Sequence, residues 1–303
     1  MYWEAKQICG NTWCVEIPHA LVPYYHLDRK NIILLDSGCM LQGELEAWLR
    51  QQGLCVRAVL NTHDHWDHTA ANGGLQQEGA LIYMPKIEAA LHASDLSHMI
   101  AYNGSNYQLM RHFYAQNPFR VDEAVPEQDG PFRVFDAEFQ VVHTPGHTVD
   151  HVSYITPDNV LYVGDTLMSV QLLRTAKINY ALCHEIDLES KEKLRQYRCA
   201  AYVLAHGSVE QELGDLIDWN IAFVKQRSDQ LWRLVEKPMT MEEIIRAAWK
   251  AFALRGGSYI KNLEVSNMIR WMVQYLVSIK RLELRFYDGV DYYAHSKQQE
   301  EKK

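Results

Sequence analysis

Directly after the apolar run Val56-Arg57-Ala58-Val59-Leu60 the chain reads Asn61-Thr62-His63-Asp64-His65-Trp66-Asp67-His68, so five histidines and aspartates stand within six residues. Imidazole and carboxylate suit zinc, iron or manganese, and few structural uses need so many of them together. In an extended segment His63 and His65, two apart, point to one side. Asp67 and His68 come next in the chain and can serve a neighbouring point. The spacing implies two metal positions, carried on a loop that leaves the end of a buried strand.

Other candidate ligands stand where a strand pattern runs into a turn. Phe139-Gln140-Val141-Val142 leads to His143-Thr144-Pro145-Gly146-His147, Val160-Leu161-Tyr162-Val163 to Gly164-Asp165, and Ala201-Tyr202-Val203-Leu204-Ala205 to His206-Gly207. Short apolar runs bounded by Pro and Gly are the pattern of buried strands. If these strands share a sheet, their ends converge on one edge.

Taken in this order, H-x-H-x-D-H, T-P-G-H-T, G-D and H-G resemble the metallo-β-lactamase-fold hydrolases over residues 10–210. The resemblance implies an α/β fold, the αββα sandwich. It implies a first metal held by His63, His65 and His147, a second held by Asp67, His68 and His206, and Asp165 bridging both. The strand Ile32-Ile33-Leu34-Leu35 ends in Asp36-Ser37-Gly38, and the resemblance gives Asp36 the task of bracing the metal loop from behind the ligands. The family usually has Pro-Gly before the last histidine where this chain has Leu204-Ala205, and T-P-G-H-T continues here into Val149-Asp150-His151. Neither departure touches a ligand, and no substrate is carried over from one subgroup.

The remaining histidines read more plainly. His19, His26, His92, His98, His112, His184 and His295 are expected to be surface or hydrogen-bonded core residues, because an isolated match rarely carries function. For His143 and His151, which flank a candidate ligand, a supporting role and no role are equally weighted. The six cysteines, Cys9, Cys14, Cys39, Cys55, Cys183 and Cys199, include no C-x-x-C pair and read as reduced thiols.

A length of 303 residues suggests roughly two domains. Residues 1–229 read as the catalytic domain: strands at Trp13–Ile17, Tyr24–Leu27 and Ile32–Leu35, a helix from Glu44 to Gln52, then the strand into His63, a layered α/β alternation. Residues 85–130 interrupt it with a helical stretch from Pro85 to Leu91 and a segment bearing Tyr102, Tyr107, Tyr114, Arg111 and Arg120. This insertion is expected to form a lid or pocket wall, and equally to pack its own helices. A helix from Gln211 to Val235 leads into residues 230–303, where helices at Met241–Leu254 and Ser266–Ile279 precede two strands joined by Asp288-Gly289, a good hairpin signal. Helix, helix, hairpin resembles a winged helix.

Winged helices often bind nucleic acid, so charge decides between readings. Residues 230–303 hold 13 Lys+Arg against 9 Asp+Glu, which leaves 17 against 29 for the rest out of chain totals of 30 and 38. A strongly acidic catalytic part argues against long RNA or DNA, whose phosphates need clustered positive charge. Packing, homodimerisation or framing of the site is the favoured task for the small unit.

The expected function is metal-dependent hydrolysis of a small ester, thioester or lactone by a hydroxide shared between two divalent transition-metal ions. Zinc is the default, with iron and manganese open because the ligands are nitrogen and oxygen. Asp165 and Asp67 are the expected catalytic residues, the latter also holding the hydroxide in line. A nuclease with a winged-helix accessory domain is the second reading. An oxidoreductase with one iron on His63, His147 and Asp165 is the third, and a non-catalytic interaction protein the fourth. No apolar stretch reaches the ~18 residues of a membrane span, and the N-terminus shows no secretory pattern, so cytoplasmic residence is expected.

Overall fold

The structure, a computed structural model, describes residues 3–38, 43–101, 108, 111 and 118–296. Strands β1 (Ala5–Cys9), β2 (Thr12–Ile17), β3 (Ala20–His26), β4 (Asn31–Leu35), β5 (Cys55–Leu60), β6 (Leu81–Met84) and β7 (Glu123–Ala124) form one sheet in that order. Pairing is antiparallel up to β4 and parallel from there on. The second sheet holds β8 (Gly130–Val134), β9 (Ala137–His143), β10 (Val152–Ile155), β11 (Val160–Tyr162), β12 (Ala201–Val203) and β13 (Val209–Glu210), again in chain order. Its β11–β12 pair is parallel.

Helices cover both outer faces: α1 (Glu44–Gln51), α2 (Trp66–Thr69), α3 (Asn72–Gln77), α4 (Lys86–His92) and α5 (Asp95–Ala101) come within the first sheet's connections. The helices α6 (Val170–Ala176), α7 (His184–Lys193) and α8 (Gly214–Leu234) follow later in the chain. Strand β4 shows why four layers result. Ile33 and Leu35 face the second sheet with Phe139, Val141 and Tyr162, while Ile32 and Leu34 face Trp48, Leu49 and Leu75 under the helices. A strand buried on both faces has no polar alternation, so it reads as a continuous apolar run. Each such Ile or Leu contributes about 1.5–3 kcal/mol by leaving water. On the far side, Leu161, Val163 and Leu204 of the second sheet pack with Leu194, Ile217 and Ile221.

The C-terminal segment contains α9 (Met241–Ala251), α10 (Tyr259–Ser278) and an antiparallel hairpin of β14 (Leu282–Tyr287) and β15 (Val290–His295). Thr240 and Glu243 close a capping box on α9, which fixes its start. Helix α10 begins seven residues before the expected Ser266, because Ser258 caps it by accepting from the Lys261 N–H. The expected boundary at 229/230 falls inside α8. Ile217 and Ile221 of that helix join the sheet-side cluster, and Leu231 joins the C-terminal cluster with Ile244, Ile269, Met272 and Leu276. Ile178, from the loop after α6, packs into this same C-terminal cluster. Of the expected lid, α4, α5 and β7 are described, while Tyr102, Tyr107 and Tyr114 lie outside the described residues. Among the described residues no helix is long and apolar enough to cross a membrane.

Candidate metal centre

Every candidate ligand stands just past the end of a strand, on the same edge of the sandwich. Parallel pairing of β4 with β5 carries Asp36 and the Asn61–His68 loop there, and parallel pairing of β11 with β12 carries Asp165 and His206. Donor atoms of His63, His65, His147 and Asp165 lie within 4.8 Å of one another, as do those of Asp67, His68 and His206. The seven sequence-predicted residues are therefore brought together in two adjoining groups.

The carboxylate of Asp165 lies between the groups. Its Oδ2 is 3.3 Å from Nε2 of His147 and 3.4 Å from Nε2 of His68, and its Oδ1 is 3.6 Å from Nε2 of His206. The His206 Nε2 is also 3.2 Å from Oδ2 of Asp67, whose side chain remains 41% exposed and so faces the open side. Nδ1 of His65 lies 3.0 Å from Nε2 of His147, which aims two ring nitrogens from different loops at one point.

Outer contacts set which nitrogen faces inward. Thr62 Oγ1 gives its one hydrogen to Asp36 Oδ2 at 2.9 Å, so it accepts from His63 Nδ1, also at 2.9 Å. His68 Nδ1 donates to Asp36 Oδ2 at 2.8 Å, His147 Nδ1 to the Tyr180 carbonyl at 3.1 Å, and His206 Nδ1 to the His19 carbonyl at 2.7 Å. In all four rings Nε2 is left for the centre, the way partners behind a ligand fix tautomer and orientation. Asp36 does more than the expected bracing. It also accepts from the Thr62 N–H and the Tyr162 hydroxyl, both at 2.7 Å.

Burial tests whether this donor set fits a cation. Nε2 of His63, Nε2 of His68 and Oδ1 of Asp165 are buried without a hydrogen-bond partner. Orphaned buried polar atoms are rare and unfavourable, and nitrogen and oxygen donors converging from three directions suit a dication. The electrostatics agree. Burial, then the positive field of its neighbours, holds His63 well below the ordinary histidine range, and burial takes His65 down to about 4 and lowers His147. These three imidazoles are held in the neutral form, the form that can ligate a cation. Burial would also lower His206 and His68, but Asp165 with Asp67 or Asp36 outweighs it, lifting His206 to about 9 and His68 well above its usual value. Burial would raise Asp165, yet His68, His206 and His147 hold it low. The second group attracts positive charge.

Other contributors were left open by the sequence reading or absent from it. His151, for which a supporting role and no role weighed equally, is buried, accepts from the Asp165 N–H at 3.1 Å through Nε2, and is anchored by Thr144 Oγ1 at Nδ1. Gly164 makes room for it: at φ +53°, a Cβ there would meet His151 Nε2 at 2.5 Å. Tyr180 stacks its ring edge-on to His65 at 4.9 Å and lies 5.1 Å from the His147 ring, with Trp271 of α10 5.0 Å beyond. The C-terminal helices thus reach the wall of the centre. No motif announces Tyr180 or Trp271, because neither shares a loop with a ligand.

A family model described as the metallo-beta-lactamase superfamily matches residues 22–206. Among curated proteins, the hydroxyacylglutathione hydrolase of Thiobacillus denitrificans is 33% identical over 144 residues, 46% of this chain and 43% of that protein. The atrochrysone carboxyl ACP thioesterase of Emericella nidulans is 26% identical over 189 residues, 62% of this chain and 50% of that protein. The chain spans half or less of the length of these relatives. Two solved structures match nearly end to end and share the fold. A metallo-beta-lactamase family protein from Thermus thermophilus has TM-score 0.70 at 17% identity, covering 94% of this chain and 97% of that one. A beta-lactamase domain protein from Burkholderia ambifaria has TM-score 0.69 at 18% identity, covering 97% and 94%. The family match takes in more than half of the residues and all seven candidate ligands, and the chain belongs to the metallo-beta-lactamase superfamily.

Proposed function

We propose that this protein is a metal-dependent hydrolase of small ester or thioester substrates, with His63, His65 and His147 at one cation, Asp67, His68 and His206 at a second, and Asp165 between them. The observation that carries this reading is the Asp165 carboxylate, within 3.3–3.6 Å of ring nitrogens from both groups. Divalent cations bound there supply a hydroxide nucleophile near neutral pH and polarise a carbonyl oxygen. Zinc is the metal proposed.

The chain's own groups do the rest. Asp67, open to solvent on one side, is placed to hold the attacking hydroxide in line as a hydrogen-bond acceptor. Burial would raise this carboxyl, but the His206 hydrogen bond and the charges of His68 and His206 hold it well below the usual range, so it stays an acceptor. Tyr180 and Trp271 give the site an apolar wall suited to an acyl or thioether chain. Hydroxyacylglutathione hydrolase and acyl-carrier-protein thioesterase among the relatives support a thioester. Residues from about 230 onward, in the winged-helix-like reading, form an accessory unit that braces this wall. The free thiols support cytoplasmic residence.

Elemental analysis after mild purification, combined with turnover of thioesters, lactones, phosphodiesters and RNA, tests this. Close to two metal ions per chain and thioester turnover are expected. Retention of a single ion at saturating metal, or RNA cleavage with no thioester turnover, refutes it.

A further inference from the structure

Glu88 lies on α4, in the insertion between the two sets of candidate ligands, and the metal reading assigns it no task. Its side chain is buried at 3% exposure, a state a carboxylate reaches only with strong partners. Its partners include backbone amides of two separate loops. Oε2 accepts from the Asp64 N–H at 3.3 Å, between His63 and His65, and Oε1 accepts from the Asp150 N–H at 3.0 Å, three residues after His147. One rigid carboxylate therefore spans the two loops that bring three nitrogens to the first metal position.

The attachment is reciprocal. Asp150 Oδ2 accepts from the Ile87 N–H at 2.9 Å, fixing the start of the helix that presents Glu88. At the other end of α4, His92 Nδ1 contacts Asp64 Oδ1 at 2.9 Å, and its ring stacks on Phe119 at 3.8 Å. Asp64 is thus held through its backbone by Glu88 and through its side chain by His92. Asp150 precedes His151, which orients Asp165.

We propose that Glu88 is a positioning residue that sets the separation of the His63/His65 loop and the His147 loop, and with it the affinity of the first metal position. This assignment rests on the metal reading above. Neither of these two hydrogen bonds ends on Asp67, His68 or His206, so the larger effect falls on the first position. Changes to partners behind a ligand lower metal affinity about 10–100-fold, and that is the size expected when both anchors go.

The experiment uses the full-length protein, stripped of metal and titrated with zinc against a chromophoric chelator, with hydrogen exchange of the loops followed in the metal-free state. Glu88→Ala should lower first-ion affinity about 10–100-fold, leave the second step within about threefold, and raise exchange in residues 61–65 and 144–151 together. Glu88→Gln keeps one carbonyl oxygen for one amide and turns a donor on the other, so it should fall between wild type and Glu88→Ala. It also keeps the assignment falsifiable if the alanine variant does not fold. A purely structural residue would lower metal-free stability and leave both affinities of the folded protein unchanged. That result, or an equal loss at both steps, overturns the assignment. Wild-type protein that takes up no zinc overturns the metal reading as well, whereas unchanged affinities in the variants overturn the role of Glu88 alone.

Discussion

Asp36→Asn separates a bracing residue from a ligand without emptying the space it fills. In the native site Oδ1 accepts from the Thr62 N–H at 2.7 Å, while Oδ2 accepts from Thr62 Oγ1, His68 Nδ1 and the Tyr162 hydroxyl at 2.7–2.9 Å. An asparagine must put its NH2 on one side. Against the Thr62 backbone N–H it faces a donor that cannot turn away. Against the other three it faces two hydroxyls that can rotate to accept and an imidazole that can switch tautomer. The second orientation wins, and it removes the acceptor that holds the Nδ1 proton, so the neutral form of the His68 ring keeps its proton on Nε2, the atom that faces Asp165.

A ring protonated at Nε2 cannot ligate without losing that proton, so the second metal position drops from three protein donors beside Asp165 to two. Perturbing an outer partner alone costs about 10–100-fold in metal affinity. With the ligand itself disabled, at least ~100-fold is expected, or about 2.8 kcal/mol at 1.4 kcal/mol per decade. The first position contacts Asp36 only through Thr62 and should change by less than about threefold. Folding stability in chelator should fall by about 1–3 kcal/mol, the scale of a weakened buried hydrogen-bond set. Asp36→Ala, which strands every one of these donors, should cost more than that. Competition titration with zinc and urea unfolding in chelator read both quantities. Unchanged second-ion affinity in a variant that folds would refute the tautomer argument.

Other expectations follow from the same geometry. Asp165→Asn should weaken both ions and reduce turnover at least ~100-fold while leaving the fold intact; equal activity with metal retained would remove Asp165 from the bridge. Gly146→Ala should destabilise the protein by about 3 kcal/mol or more, because φ is +120° and the new Cβ would lie 2.3 Å from the Asp187 backbone nitrogen; a loss under about 1 kcal/mol in urea unfolding would show that α7 gives way easily. Metal binding should release protons unequally. In metal-free protein at pH 7, His65, lowered to about 4, is already neutral, whereas His206, raised to about 9, and His68 carry protons. Second-ion affinity should therefore weaken as pH falls from 9, about tenfold per unit for each proton displaced, while first-ion affinity stays flat to about pH 5. Calorimetry in buffers of different ionisation enthalpy counts the protons, and equal release at both steps would contradict this.

The clustering of the candidate ligands was legible because its parts are local. His63, His65, Asp67 and His68 share one loop, and the other three each end an apolar run, so short-range pattern was enough to bring them forward as candidates. Asp36 was legible for the same reason, at the end of β4. What supports them was not, because it arrives from elsewhere in the chain. Tyr180 meets His147 across 33 residues and His65 across more than a hundred, and Trp271 comes from the C-terminal helices. Glu88 lay in a stretch correctly read as helical, but a glutamate on a helix ordinarily faces water. Only the arrival of two loop amides reveals why this one does not.

Helix α7 shows the opposite failure, an element missed entirely although it holds up a ligand loop. Its inward positions are His184, Asp187, Ser190 and Lys191, spaced like a buried helical stripe but polar throughout. Periodicity searches look for apolar residues at that spacing and find none here. The stripe is only partly matched: Lys191 pairs with Asp187, Ser190 donates to the Pro145 carbonyl at 2.7 Å, and nearby Lys193 donates to the His143 carbonyl at 2.8 Å, while both ring nitrogens of His184 and Oδ2 of Asp187 are buried without a hydrogen-bond partner. Two of these bonds end on the loop that delivers His147. The helix also sits so close to Gly146 that no side chain fits between them. A hydrophobic face would have packed as well but would have left the Pro145 carbonyl without its Ser190 donor, loosening the Thr144–His147 turn. The polar stripe that hid α7 from the sequence reading is thus the means by which it fixes the ligand loop.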